Sequence, residues 1–238
     1  MSNFKKNFNL SHYLVVGPEN CKYKPFSEVV LSALRAGFTF IQLRSKKASD
    51  RELLQLAAET AGLIAACGKS QEVSFVINDN VSVVKVAQER GIKVDGVHVG
   101  QTDASPVYCR KLLGDAAIIG LSAPQSGLAD YLSSADCLDA DYFGLAPLHE
   151  TATKKDLVKG NDNTTIIPSF AEIVAFAQNS PLPVVLGGGV KKEDLPLLAK
   201  TPLAGYFVVS AVCAAENPYF AAVKLVHNWN ENRAQKPT

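Results

Sequence analysis

The run FTFIQLRSKK, Phe38 to Lys47, closes an apolar stretch with Gln42, Arg44 and Lys46. On a strand, side chains alternate between faces, so Ile41 and Leu43 point one way and Gln42, Arg44 and Lys46 the other. Desolvating two cations at a strand end is costly without an anionic partner. The stretch therefore reads either as the cationic mouth of an anion site or as a solvated strand end. Asp79 and Asp103 follow the next two apolar runs. On neighbouring strands, with axes ~5 Å apart, two such carboxylates can share one cation. Oxygen donors with no cysteine nearby suit Mg2+, which keeps several waters and usually holds phosphates as well. Taken alone, Asp79 reads first as a helix cap.

A second group lies later in the chain. Thr151, Thr153 and Lys154 offer two hydroxyls and a cation, and Gly187 to Gly189 let backbone N–H groups approach an anion. Singly, these are loop chemistry and a tight turn; with Ser210, which follows Val209 at the end of GYFVVS, they make a phosphate cradle. Ser122 ends the run AAIIGLS, and Asn78 precedes Asp79. His98, flanked by Gly96 and Gly100, has inward parity and fits either a hydrogen-bonded core histidine or a catalytic one. His149 sits near the second group, whereas His12 and His227 carry no site argument.

Positioning these residues requires a regular scaffold. Apolar runs at His12 to Gly17, Phe38 to Arg44, Val73 to Asp79, Gly96 to Val99, Ala116 to Ser122, Tyr142 to Gly144, Pro183 to Gly189 and Gly205 to Ser210 read as strands. Between them, helical spacing predicts helices over Glu28 to Arg35, Ser49 to Ala66, Val81 to Arg90, Ser105 to Leu113, Leu128 to Ala135, Ser169 to Gln178 and Lys191 to Lys200, with a last one after Asn217-Pro218. Eight βα units with near-continuously apolar strands favour a closed parallel (β/α)8 barrel over a doubly wound sheet, whose Gly-rich first turn is missing after Gly17. In such a barrel the active site lies at the C-terminal ends of the strands, where the candidate site residues above fall. Lys154 to Pro168 is a long polar connection of the kind that often forms a lid.

Composition sets the outer bounds. A chain of 238 residues, 47% hydrophobic and 20% charged, fits one domain over residues 1–238, with 1–11 and 232–238 peripheral. A formal charge of +1 gives no basis for a nucleic-acid groove or an anionic membrane surface. The five cysteines are scattered without metal-ligand spacing, and no run reaches the ~18 to 20 apolar residues of a membrane span. With no signal core in MSNFKKNFNL, the chain reads as a cytoplasmic protein with reduced thiols.

From about Tyr13 to the last helix, seven segments resemble, in order, the signatures of the thiamine phosphate synthase family. They are QLRSK (Gln42 to Lys46), IND (Ile77 to Asp79), GVHVGQTD (Gly96 to Asp103), IGLS (Ile119 to Ser122), TATK (Thr151 to Lys154), GGGV (Gly187 to Val190) and VVSAV (Val208 to Val212). The resemblance implies a Mg2+-dependent transferase that joins hydroxymethylpyrimidine pyrophosphate to hydroxyethylthiazole phosphate, releasing pyrophosphate through a pyrimidine carbocation. It implies Mg2+ on Asp79 and Asp103, pyrophosphate on Arg44, Lys46 and Asn78, and the pyrimidine against Gln42 and His98. Ser122 and Lys154 would face the departing pyrophosphate, and Thr151, Thr153, Gly188 and Ser210 the thiazole phosphate, with Val209 also substrate-binding. Relatives are often dimers, which makes a homodimer the associated expectation.

Two segments depart from the family pattern, Ala123-Pro124-Gln125 and Lys155 to Ser169, and Glu150 is unfavourable beside a phosphate. The alternatives are a thiazole tautomerase on the same barrel and a non-catalytic phosphate-binding barrel. Pro124 stands near where the tautomerase places its acid/base histidine, and a tautomerisation needs neither the carboxylate pair nor the Arg/Lys pair.

Overall fold

A computed structural model describes residues 8–133, 139–150 and 164–234. Its eight strands are β1 (His12–Val16), β2 (Phe40–Leu43), β3 (Ser74–Asn78), β4 (Gly96–Val99), β5 (Ile118–Ser122), β6 (Tyr142–Leu145), β7 (Val184–Leu186) and β8 (Gly205–Val208). Each pairs in parallel with the next and β8 returns to β1, so the sheet closes into a barrel. Around it lie α1 (Phe26–Ala36), α2 (Asp50–Ala66), α3 (Val81–Glu89), α4 (Pro106–Leu113), α5 (Leu128–Tyr131), α6 (Phe170–Asn179), α7 (Leu195–Leu198), α8 (Ser210–Cys213) and α9 (Pro218–Ala234). The expected (β/α)8 fold is the observed one. Local chemistry sets the helix starts: Ser49 and Ser169 form capping boxes with Glu52 and Glu172, and Ser105 caps α4.

Strand alternation builds two cores. Outward residues such as Leu14, Ile41, Phe75 and Val97 pack under the helices. Inward residues Tyr13, Val15, Phe40, Val76, Ile118, Tyr142 and Val185 fill the lumen, as expected for a barrel that is packed through its middle. Gly120 makes room for this filling: a Cβ there would lie 2.3 Å from Tyr142 Cζ and 2.4 Å from His98 Nδ1.

The structure corrects the sequence reading in several places. Part of the leader is not peripheral, since Leu10 is buried in the lumen core with Phe8 packed against it, and the Phe8 and Phe40 rings meet edge to face at 6.2 Å. The start of the supposed tail is anchored too, because the Arg233 guanidinium donates to the carbonyls of Ala199 at 3.0 Å and Thr201 at 2.9 Å. The helix expected over Lys191 to Lys200 shortens to α7, because its first residues form a turn in which Asp194 accepts the Lys191 amide at 2.8 Å.

Candidate active site

The C-terminal rim of the barrel encloses a cavity of 1220 Å3. Gln42, Arg44 and Lys46 reach it from β2 and its loop, Asn78 and Asp79 from β3, His98 and Asp103 from β4 and its loop, and Ser122 from β5. Gly188, Val209 and Ser210 line the other side. Each expected site residue among those described therefore faces one hollow. Thr151, Thr153 and Lys154 lie outside the described residues, as does most of the expected lid.

On one side of the mouth the charges are interlocked. Lys46 Nζ donates to Asp79 Oδ2 at 2.8 Å. Asp103 Oδ2 accepts the Gly100 amide at 2.8 Å. Partial loss of water at the mouth pushes the Asp103 carboxyl above the usual carboxylate range, the neighbouring Asp79 carboxyl pushes the same way, and the Gly100 amide and the Lys46 charge oppose in part. Two neighbouring carboxylates at one cavity wall repel each other, and a shared cation relieves that repulsion. This pair of oxygen donors fits a hard divalent ion such as Mg2+, with the remaining coordination left to ligand oxygens and water.

Asp79 is not the helix cap that its position suggested. Asn80 caps α3 by accepting the Val83 amide at 3.0 Å. Asp79 itself adopts a left-handed backbone, φ 59°, which is uncommon outside glycine and is concentrated at functional sites.

Below the mouth, polar side chains form a chain across the lumen. The Gln42 amide donates to Asn78 Oδ1 at 2.8 Å, and the Tyr13 hydroxyl donates to Gln42 Oε1 at 3.0 Å. Tyr13 and Tyr142 hydroxyls pair at 2.9 Å, Tyr142 pairs with His98 Nδ1 at 2.9 Å, and His98 Nε2 pairs with Ser122 Oγ at 3.1 Å. Burial raises both tyrosine pKa values, so the hydroxyls stay protonated and act as fixed dipoles beneath any ligand. His98 is thus both a buried, bonded histidine and a cavity-lining one, so the two sequence readings meet in one residue. The tyrosines were not singled out in the sequence; their inward parity was visible, but their partners come from distant strands.

The cavity wall also carries Glu150, Lys191 and Lys192, together with Phe207, Phe220 and Lys224. His149 lies beside this wall, with Nε2 at 3.0 Å from both Asp194 carboxylate oxygens. Pro124, with Ala123 and Gln125, also lines the cavity.

The family model described as thiamine monophosphate synthase matches residues 12–212. The thiamine-phosphate synthase of Psychrobacter sp. (strain PRwf-1) is 36% identical over 218 residues, covering 91% of this chain and 94% of that protein. That of Campylobacter jejuni (strain RM1221) is 31% identical over 232 residues, covering 98% and 100%. Among solved structures, the thiamine phosphate pyrophosphorylase from Pyrococcus furiosus superposes with a TM-score of 0.73 at 25% identity, covering 94% of this chain and 96% of that one. A rubisco-like protein from Burkholderia fungorum shares the fold, with a TM-score of 0.66 at 11% identity.

Proposed function

Because the chain belongs to the thiamine monophosphate synthase family, and is an enzyme of that type that joins a pyrimidine to a thiazole, we propose that it does so by a Mg2+-dependent dissociative reaction at this rim. The observation that carries the reading is the convergence of Arg44, Lys46, Asp79 and Asp103 on one wall of a cavity whose far wall carries Gly188 and Ser210. The substrates are hydroxymethylpyrimidine pyrophosphate and hydroxyethylthiazole phosphate.

The chemistry asks the protein for charge stabilisation and placement more than for a strong acid or base. Arg44, Lys46 and Asn78 hold the diphosphate, and Asp79 and Asp103 hold Mg2+, which when bound neutralises charge on the leaving group. The bond from the pyrimidine methylene carbon to the diphosphate oxygen breaks, and its electron pair departs with the diphosphate. Gln42 and His98, fixed by the tyrosine chain, hold the pyrimidine so that its cationic carbon faces the thiazole. The thiazole nitrogen then donates its lone pair to that carbon. Ser122 faces the departing pyrophosphate, a role the family resemblance also assigns to Lys154, outside the described residues. Gly188 and Ser210, beside Val209, hold the thiazole phosphate, and Thr151 and Thr153, outside the described residues, are assigned the same role by the family resemblance. Free thiols at Cys21, Cys67, Cys109 and Cys213 accord with a reducing cytoplasm.

Pyrophosphate release assayed with both substrates and Mg2+ tests the reading. Release that needs the thiazole phosphate supports it. Isomerisation of a thiazole carboxylate without metal would favour the tautomerase, and phosphate binding without turnover would favour a non-catalytic barrel.

A further inference from the structure

The cations of the proposed diphosphate wall sit on the loop between β2 and α2, and one carboxylate from outside that loop braces it. Glu19, in the 3-10 turn Pro18–Asn20 after β1, accepts the Lys46 amide through Oε1 at 2.8 Å and the Ser45 hydroxyl through Oε2 at 3.0 Å. Ser45 Oγ in turn accepts the Ala48 amide at 3.2 Å, which carries the brace to the start of α2. The same two loops interlock at their bases: the Arg44 amide donates to the Val16 carbonyl at 2.8 Å. A Cβ on Gly17 would lie only 2.1 Å from the Arg44 carbonyl oxygen, so no larger residue fits there without moving the loop.

The arrangement is informative because a carboxylate is electrostatically wrong for this place. A negative charge near a wall that takes up a diphosphate opposes the ligand, and a serine or asparagine at a turn would bond an amide without that cost. What Glu19 adds is two acceptor oxygens on one long side chain, matched to two successive donors. Its bond goes to the Lys46 backbone, which leaves the ammonium free to reach Asp79.

Resting on the proposed function, we infer that Glu19 is a positioning residue for diphosphate recognition: it holds the Ser45-Lys46 backbone so that Arg44 and Lys46 face the leaving group. It acts through hydrogen bonding and despite its charge. The two contributions separate by substitution. Glu19→Gln keeps a carbonyl acceptor for the Lys46 amide, offers an amide to the Ser45 hydroxyl, and removes the charge; Glu19→Ala removes everything.

The test compares wild type, Glu19→Gln and Glu19→Ala in steady-state kinetics and in calorimetric titration with inorganic pyrophosphate and Mg2+. For Glu19→Ala the expected result is a ~10-fold rise in KM for the pyrimidine diphosphate and a ~10-fold weaker pyrophosphate affinity, equivalent to about 1.4 kcal/mol, with KM for the thiazole phosphate unchanged. Glu19→Gln is expected to match wild type or bind pyrophosphate more tightly. Equal behaviour of the two variants would show that only the charge matters and overturn the inference, as would an alanine variant indistinguishable from wild type. A rise in KM for both substrates alike would also overturn it, by pointing to general loosening. Failure of the wild type to bind pyrophosphate or to turn over would instead overturn the proposed function, and this inference with it.

Discussion

Acid should weaken this protein through His12, a side chain far from the cavity, and the size of the effect follows from its surroundings. His12 opens β1 and faces outward, 4% exposed, with Nδ1 at 3.2 Å from the Tyr206 hydroxyl and Nε2 at 3.1 Å from Asn230 Oδ1 on α9. Burial strips water from the imidazolium and lowers its pKa from 6.5 to about 4, the Asn230 bond opposing in part. In the unfolded chain the ring takes a proton near its ordinary pKa; in the fold it resists. The stability held by the neutral ring is therefore complete above pH 6.5 and is lost as the pH falls toward 4. A shift of that size corresponds to about 3 kcal/mol in full and about 2 kcal/mol by pH 5, a large share of the ~5–15 kcal/mol that holds a domain together. Urea unfolding at pH 7.5 and pH 5, for wild type and His12→Gln, isolates the term, since the carboxylates titrate in both. Wild type should lose about 2 kcal/mol more than the variant between the two conditions. Parallel losses would refute the reasoning and place the ring in a hydrated environment.

Three further outcomes are expected. Asp103→Ala should lower turnover by ~100-fold or more at saturating Mg2+ while leaving the unfolding midpoint near wild type, because an exposed loop carboxylate adds little to the core; near-normal turnover would remove Asp103 from the site. Gly120→Ala should cost about 1–3 kcal/mol in denaturant unfolding, since its Cβ has no space beside Tyr142 and His98. Cys21 should be alkylated by iodoacetamide before Cys109 and Cys213: it is only partly buried and the neighbouring Cys213 thiol lowers its pKa, whereas burial pushes Cys109 up to about 11 and the buried Cys213 is raised well above its ordinary value; peptide mapping of partly labelled protein would read the order.

Much of the barrel was legible because its signals are local. Strand alternation placed Gln42, Arg44 and Lys46 on one face, and serines at positions 49, 105 and 169 announced three helices. What failed was short or cooperative. The four-residue α8 is too brief to show a period. Asp79 reads as a cap, and only the folded chain shows the next residue, Asn80, bonding the Val83 amide while Asp79 takes a left-handed backbone. Glu19 is an isolated acid in a turn with no pattern around it; its meaning comes from donors at Ser45 and Lys46 that the fold brings to it. The lumen hydrogen-bond chain likewise joins β1, β2, β3, β4, β5 and β6, a set of neighbours that no window of sequence contains.

The rings of Phe8, Phe40, Tyr13 and Tyr142 stopper the barrel from beneath. Among the described residues the lumen is filled at its base and open at the rim, so whatever goes in at the rim backs out along the route by which it came. Under the proposed reaction two reactants and two products share that passage, and the order of their traffic becomes a property of the doorway as much as of the chemistry behind it.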